Sequence, residues 1–456
     1  MSLTLLRLPI LAGLCAALSL AACVGPAPAP ATQPAVDASP TPAALPTFTP
    51  AVPVTHAGLY VDASLEQGLI SPMVYGTNYG PWLFVPLQMQ PAVAEANLGV
   101  IRYPGGNWGD RNDMDEWNLD QYIALTRQFG AEPYIHVRLL NGTAEKAAEI
   151  VRLLNVEKGY NVRYWSIGNE PNLFGDGYEP EQFVREWRQW AEAMRAVDAD
   201  IILIGPEVNQ FYANPTQPHQ LELERWMVEF LKANGDMVDV VSFHRYPFPS
   251  SQLAGPPSAD ELRTASAEWD QLIPYVRDLI RQHTGRDIPV AVTEANSSWA
   301  ASSGGDTTLD SHLNAIWWGD ALGRMIRGGA YMVNQFALAG DFGMLTNYDV
   351  RPIYHVYQMY KAFGQERLYA SSDDPLVSIF ASRRADGALV LMVINLAAEA
   401  REMALQIDSL DLPATAEVTL FDKDHPAEAL TPLQVSEGIR LQLTPESMLL
   451  LVLPAP

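Results

Sequence analysis

Two glutamates have the setting in which paired carboxylates do chemistry. Glu170 ends the run Trp165-Ser166-Ile167-Gly168-Asn169-Glu170-Pro171, and Glu294 ends Val292-Thr293-Glu294, 124 residues further on. Each closes a short apolar stretch and opens a polar one. Breaking a glycosidic bond requires one carboxylic acid to protonate the leaving oxygen and one carboxylate to attack carbon or activate water. Other polar and aromatic residues end neighbouring apolar runs: Arg102 and Tyr103 before Pro104-Gly105-Gly106-Asn107-Trp108, Glu207 with Asn209, His244 with Tyr246, Asn296 with Trp299, and Asn334 with Gln335.

The elements that must hold these residues repeat evenly. Apolar, β-branched or aromatic runs occupy 70–78, 99–105, 133–139, 162–169, 201–208, 238–246, 288–296 and 330–338. Near-continuous hydrophobicity marks strands buried on both faces, and the intervening stretches carry helical periodicity. Pro180 stands where a first helical turn begins, with Phe183, Trp187, Trp190, Met194 and Val197 following on one face. Eight such units predict an α/β fold of the (β/α)8 TIM-barrel class, with its chemistry at the C-terminal strand ends. The ends of the fourth and seventh strands can face each other across such a mouth, at the roughly 5–5.5 Å of a retaining mechanism. Beyond residue 365 the pattern becomes short alternating strands at 376–383, 388–396, 401–408, 416–422, 439–443 and 447–453, which predict a C-terminal antiparallel β-sandwich domain. The barrel is expected over 55–364 and the sandwich over 365–456, with 57–63 a candidate extra strand of the latter.

The motif Trp165-Ser166-Ile167-Gly168-Asn169-Glu170-Pro171 resembles the fourth-strand signature of the large clan of (β/α)8 retaining glycoside hydrolases, and Val292-Thr293-Glu294 resembles its seventh-strand nucleophile. The resemblance covers most of 57–454. It implies Glu170 as acid/base, Glu294 as nucleophile and Asn169 as the partner of the sugar 2-hydroxyl. It also implies His244 and Tyr246 as residues that orient substrate or hold the nucleophile, with Arg102 beside it. Within the clan, Arg102-Tyr103-Pro104-Gly105-Gly106-Asn107 and Asn141-Gly142-Thr143-Ala144-Glu145-Lys146 resemble α-L-arabinofuranosidases. Gly168-Asn169-Glu170-Pro171-Asn172-Leu173-Phe174 and Glu294-Ala295-Asn296-Ser297-Ser298 resemble heparanase-related β-glucuronidases. A uronic acid would want a cation, for which Arg245 and Arg351 are candidates. Substrate contacts are expected at Asn169, Arg102, Asn107, His244, Tyr246 and Trp299. Trp82, Trp108 and Trp299 follow strand ends, where an indole stacks on a sugar or simply packs.

Composition narrows the alternatives. With 53 acidic and 29 basic residues the formal charge is −24, which disfavours nucleic acid as a partner. The only cysteines, Cys15 and Cys23, precede the globular part, so no thiolate metal site is expected there. No HExxH motif appears, and Gly105-Gly106 lacks the residues of a phosphate cradle. No metal and no cofactor are therefore expected. Residues 1–22 have the charge and apolar length of a signal peptide, and Leu20-Ala21-Ala22-Cys23 resembles a bacterial lipobox with Cys23 as the lipidated residue. Residues 23–54 form a Pro/Ala/Thr-rich spacer, with nine prolines in 24–54. The expected partner is a carbohydrate, and the expected place is extracytoplasmic, lipid-anchored to the bacterial cell membrane or cell surface. Two other readings stay open: a non-catalytic surface glycan-binding lipoprotein on the same scaffold, and a metal-dependent barrel hydrolase using His244, Glu207 and Glu294.

Overall fold

The structure, a computed structural model, describes residues 56–249, 255–435 and 438–455. The expected leader, Cys23 and the spacer lie outside the described residues. Strand β1 (Leu59–Leu69) precedes eight parallel strands: β2 (Gly76–Asn78), β3 (Val100–Tyr103), β4 (Glu132–Val137), β5 (Tyr164–Ile167), β6 (Ile202–Val208), β7 (Val240–Arg245), β8 (Val290–Ala295) and β9 (Met332–Gln335). These close into a barrel, β2 pairing with both β3 and β9. The (β/α)8 barrel foreseen from the eight apolar runs is thus the architecture observed.

Strands buried on both faces explain the uninterrupted hydrophobicity. One face fills the barrel: Val100, Tyr134, Tyr164, Ile204, Val240, Ala291 and Met332 interlock inside it. The other face meets the helices. On the helix Pro180–Val197, Phe183, Trp187, Trp190 and Met194 are buried, and the Trp187 ring meets Phe230 of the helix Pro218–Asn234 edge-on at 4.9 Å.

After the barrel come β10 (Glu366–Ser372), β11 (Val377–Arg383), β12 (Leu389–Asn395), β13 (Arg401–Asp408), β14 (Thr415–Phe421), β15 (Glu428–Gln434), β16 (Ile439–Leu443) and β17 (Ser447–Leu453). With β1 they form one nine-stranded sheet in the order β15-β14-β17-β12-β11-β10-β1-β13-β16. It is antiparallel except where β1 runs parallel to β13. The sheet folds over itself in sandwich fashion. The Asn395 amide donates to the Thr444 carbonyl at 2.8 Å, and the Thr444 hydroxyl donates to Asp422 at 2.8 Å, joining the ends of β12, β16 and β14. Leu391, Leu405, Val418 and Leu441 share the enclosed core. Strands β10 and β15 were not foreseen. In β15 every residue but one is exposed, so no apolar alternation marks it.

The helix His312–Arg327 is the main contact between barrel and sheet. Arg324 donates to Asp320 at 2.7 Å and to Ser378 of β11 at 3.0 Å. Gly319 and Gly323 let the sheet approach, since a Cβ at Gly323 would run into the Phe380 ring and the Tyr360 hydroxyl. Helix propensity alone would favour alanine here by about 1 kcal/mol, so close packing decides the residue. Gly323→Val is expected to destabilise the protein by about 1–3 kcal/mol, read by urea unfolding; an unchanged midpoint would show that this contact yields without cost.

Candidate active site

Two strand ends carry register irregularities: Glu207 is the extra residue of β6 against β7, and β8 carries extra residues between Val292 and Glu294 against β7 and between Val292 and Ala295 against β9. Such bulges re-aim side chains, and here Glu207, His244 and Glu294 converge within the mouth. Glu170 and Glu207 adopt left-handed backbone, with φ of 48° and 60°. For a non-glycine residue this costs of order 1–3 kcal/mol, and such strain gathers at functional sites. Pro171 follows Glu170 and opens a 3-10 turn over Pro171–Leu173 that carries the chain away from the mouth.

Arg102, fully buried on β3, is the central cation. Its Nη1 donates to Asn78 Oδ1 at 3.1 Å and Glu294 Oε1 at 2.8 Å. Its Nη2 donates to Asn169 Oδ1 at 2.7 Å and lies 2.8 Å from Glu207 Oε2. Glu294 Oε1 also accepts from the Gly106 N–H at 2.9 Å, and its Oε2 accepts from the Tyr246 hydroxyl at 2.9 Å. Burial and the adjacent Glu294 charge push the Tyr246 phenol well above its usual range, so it remains a donor.

His244 lies between two carboxylates, with Nδ1 2.9 Å from Glu170 Oε1 and Nε2 3.0 Å from Glu207 Oε2. Burial would lower its pKa, but the charge of Glu294 and hydrogen bonds to Glu170 and Glu207 outweigh it and push the value up to about 10. An imidazolium donates from both nitrogens, which suits its two acceptors. Glu207 is fully buried and also accepts from Tyr134 at 2.8 Å and Thr293 at 3.0 Å. Burial alone would raise its pKa; the Arg102 charge and the bonds from His244 and Tyr134 hold it far below the usual carboxylate range. Glu207 is therefore a buried carboxylate that supports the network from inside.

Asn169 is fixed on three sides. Its Oδ1 accepts from Arg102, its backbone N–H donates to Asp110 Oδ2 at 2.6 Å, and its Nδ2 donates to Asn107 Oδ1 at 3.1 Å. Asp110 in turn accepts from the Leu139 and Leu140 amides. Burial would raise its pKa, but His136 and those amides hold it low. The second contact of Glu170 is the Asn209 amide, which donates to Oε1 at 2.7 Å. Both described hydrogen bonds to the Glu170 carboxylate thus fall on one oxygen.

The structure therefore gathers Glu170, Glu294, Asn169, Arg102, His244 and Tyr246 into one network, with Asn107 at its exposed edge. Trp299 stands 42% exposed on the loop after β8, outside the network. The two candidate uronate-binding cations are engaged elsewhere. Arg245 grips Glu268 with two nitrogens and stacks 4.3 Å from the Tyr212 ring centroid, while Arg351 donates to the Gly340 and Gly343 carbonyls. Sequence reasoning missed Asn78, Tyr134, Asp110, His136 and the Gly106 N–H. The tyrosine and histidine inside the mostly apolar 133–139 run were a readable signal; a backbone donor leaves none. One ligand atom each from Glu170, His244 and Glu294 would fit around a cation, all within 4.8 Å of one another. However, both histidine nitrogens already bond to carboxylates and Arg102 already neutralises Glu294, so this donor set suits a protonated network better than a metal.

The raised His244 pKa has a defined sign. A group whose folded pKa lies above its ordinary 6.5 contributes stability that is complete below about pH 6.5 and is lost as pH rises through about 10. Relative to His244→Gln, the wild type should hold an advantage on the order of a few kcal/mol at pH 6 that shrinks by pH 10, measured by urea unfolding at both. An advantage independent of pH would contradict a charged His244.

Known proteins of similar sequence and fold point to one class. The family model described as glycosyl hydrolases family 39 matches residues 152–313, a segment containing both Glu170 and Glu294. α-L-Arabinofuranosidase C of Emericella nidulans is 26% identical over 210 residues, 36% of this chain and 40% of that one, so this chain spans about two fifths of that relative's length. The crystal structure of an α-L-arabinofuranosidase from Thermotoga maritima in complex with arabinose superposes with a TM-score of 0.72 at 18% identity, over 88% of this chain and 100% of that one. That of CelM2, a bifunctional glucanase-xylanase from a metagenome library, gives 0.70 at 19% identity over the same shares. In fold, and in the sequence that carries its two mouth glutamates, the chain is similar to the (β/α)8 glycoside hydrolases.

Proposed function

We propose that the protein is a retaining glycoside hydrolase acting on oligo- or polysaccharides, with Glu294 as nucleophile and Glu170 as acid/base. The observation that carries this reading is the closeness of the pair: an oxygen of Glu170 and one of Glu294 lie within 4.8 Å of each other. Retaining enzymes hold their carboxyls about 5–5.5 Å apart, whereas inverting ones leave about 6.5–9.5 Å for a water.

Each partner has a role in the reaction. Arg102, the Gly106 N–H and Tyr246 surround Glu294 with donors that hold both its oxygens in place. His244 and Asn209 occupy Glu170 Oε1, so we assign the acid proton to Oε2. In the first step a Glu294 oxygen bonds to the anomeric carbon. The carbon–leaving-oxygen bond breaks, and the Glu170 proton passes to the leaving oxygen. In the second step Glu170 takes a proton from water, the water oxygen bonds to the anomeric carbon, and the ester to Glu294 breaks. With its Oδ1 held by Arg102, Asn169 presents Nδ2 outwards, where a sugar 2-hydroxyl would replace Asn107 as its partner. The cations Arg102 and His244 are already bonded to carboxylates, which favours a neutral sugar over a uronic acid in the cleaved position.

Glu294→Gln, which keeps an acceptor oxygen for Arg102, should abolish turnover of aryl glycosides while the protein still folds, at a cost of up to about 3–5 kcal/mol read by urea unfolding. Glu170→Ala should lower kcat by about 10²–10⁴ on substrates with poor leaving groups, and azide should restore turnover of an activated aryl glycoside as a glycosyl azide of retained configuration. An inverted product, or full activity in either variant, would sink the assignment. Export and lipid anchoring at Cys23 belong to the same proposal. Cells making the full chain should incorporate labelled palmitate into it, and Cys23→Ser should remove the label; a labelled Cys23→Ser protein would refute anchoring at that residue.

A further inference from the structure

Apolar side chains left in water cost free energy unless something covers them, and scattered single ones are ordinary on any surface. The distribution of the exposed aromatics is not scattered. Among the described residues five large aromatics are exposed: Trp82 at 40%, Phe84 at 70%, Trp117 at 68%, Trp299 at 42% and Tyr348 at 85%. Trp82 and Phe84 follow β2, and Trp117 lies in the first turn of the helix Glu116–Gln128 that follows β3. Trp299 follows β8 and Tyr348 follows β9. In the closed barrel β8, β9, β2 and β3 are consecutive neighbours. All five therefore stand on one continuous arc of the rim, on the face where the strands end. None of the described loops after β4, β5, β6 or β7 carries an exposed aromatic.

The arc is braced and joined to the catalytic network. Gln88 donates to the Asn347 carbonyl at 3.0 Å, linking the loop after β2 to the loop after β9. The Thr346 hydroxyl accepts from the Tyr348 and Asp349 amides at 3.2 and 2.9 Å, so a hydrogen-bonded turn presents Tyr348. Arg351 ties the base of the same loop through the Gly340 and Gly343 carbonyls. Inward, the Phe342 ring meets Phe336 at 5.5 Å. Phe336 in turn lies against Gly106, whose N–H bonds to Glu294. An aromatic ring offers a flat apolar face to the C–H groups of a sugar and tolerates water at its edge. Rings held rigidly also bind with less loss of freedom than mobile ones.

We infer that this arc, with Phe84 and Tyr348 as its most exposed members, is an outer binding surface for further sugar units of a carbohydrate chain whose cleaved unit lies at Glu170 and Glu294. The inference rests on the glycosidase reading and deepens it: the preferred substrate is an oligo- or polysaccharide, not a single sugar on a small aglycone. The loops that carry Phe84 and Tyr348 enter no bond of the carboxylate network, so their effect is on the length of chain recognised.

The test uses the full-length protein with Phe84→Ala, Tyr348→Ala and the double variant. First, kcat/KM is measured on an aryl monoglycoside and on a linear oligosaccharide of the same sugar and linkage. The ratio of oligosaccharide to aryl kcat/KM should fall about tenfold in the double variant, mainly through KM; an unchanged ratio would overturn the proposal. Second, migration is followed in native gels containing soluble arabinoxylan, xyloglucan or mixed-linkage β-glucan. Retardation of the wild type by one polymer, lost in the double variant, supports the surface even if no glycoside is hydrolysed, an outcome that would fail the glycosidase reading alone. Equal migration of wild type and double variant in every polymer would overturn the surface. Unfolding midpoints are recorded alongside, and Tyr348→Phe, which keeps the ring, should behave as wild type in both assays.

Discussion

The buried guanidinium of Arg102 is the interaction on which the rest of the mouth depends. From β3 it reaches Asn78 at the end of β2, Asn169 just past β5, Glu207 on β6 and Glu294 on β8. One side chain thus ties together most of the circumference of the barrel opening. Taking such a charge out of water is costly, and it is compensated only because two carboxylates and two amide oxygens meet it in good geometry. Removing one member of a buried ionic set typically costs 3–5 kcal/mol, since the others are left without a partner. The network is consequently all-or-none, and it holds the two mouth glutamates in fixed places before any substrate arrives.

Glu207 and His244 extend the same logic. The imidazolium lies 3.0 Å from the Glu207 carboxylate and 3.7 Å from that of Glu294, and it offsets their mutual repulsion, which burial strengthens. The left-handed backbone at Glu170 and Glu207 and the bulges in β6 and β8 are local strain that this electrostatic arrangement over-determines. Arg102 with His244 here provides the positive charge that a metal ion would provide in other hydrolytic sites, and both cations are held by atoms of the fold itself.

Around this centre the rim is asymmetric. The half formed by β8, β9, β2 and β3 supplies Glu294, Arg102 and the Gly106 N–H below and the exposed rings above. The half formed by β4 to β7 supplies Glu170, Glu207 and His244. The C-terminal sheet supports the barrel from the side, through the glycine-lined helix His312–Arg327 that leads into β9, and β1 enters the sheet before the barrel begins. Chain order is therefore interleaved, and the barrel has the sheet as a second, packed core beside it.

Much of this was legible in the sequence because burial on both faces leaves a strong trace. Eight apolar runs located eight barrel strands, and the polar residues at their ends located the mouth. Alternation at Met403, Leu405 and Ile407 revealed β13, while exposed β15 left no such trace. Residue type marked the polar strand ends, since charged and amide groups there are costly unless they are used, and the resemblance of the strand-four and strand-seven motifs singled out Glu170, Glu294, Arg102, Asn169, His244 and Tyr246 among them. Tertiary structure decided what no linear pattern encodes. Register irregularities turned Glu207 into the network, a backbone N–H at Gly106 joined it, and Asn78 reached it from the end of a strand that reads as apolar. Arg245 and Arg351, plausible cations by type, were drawn off to Glu268 and to loop carbonyls. Sequence determines which groups are too polar to be left buried alone; only the closed barrel determines which of them meet.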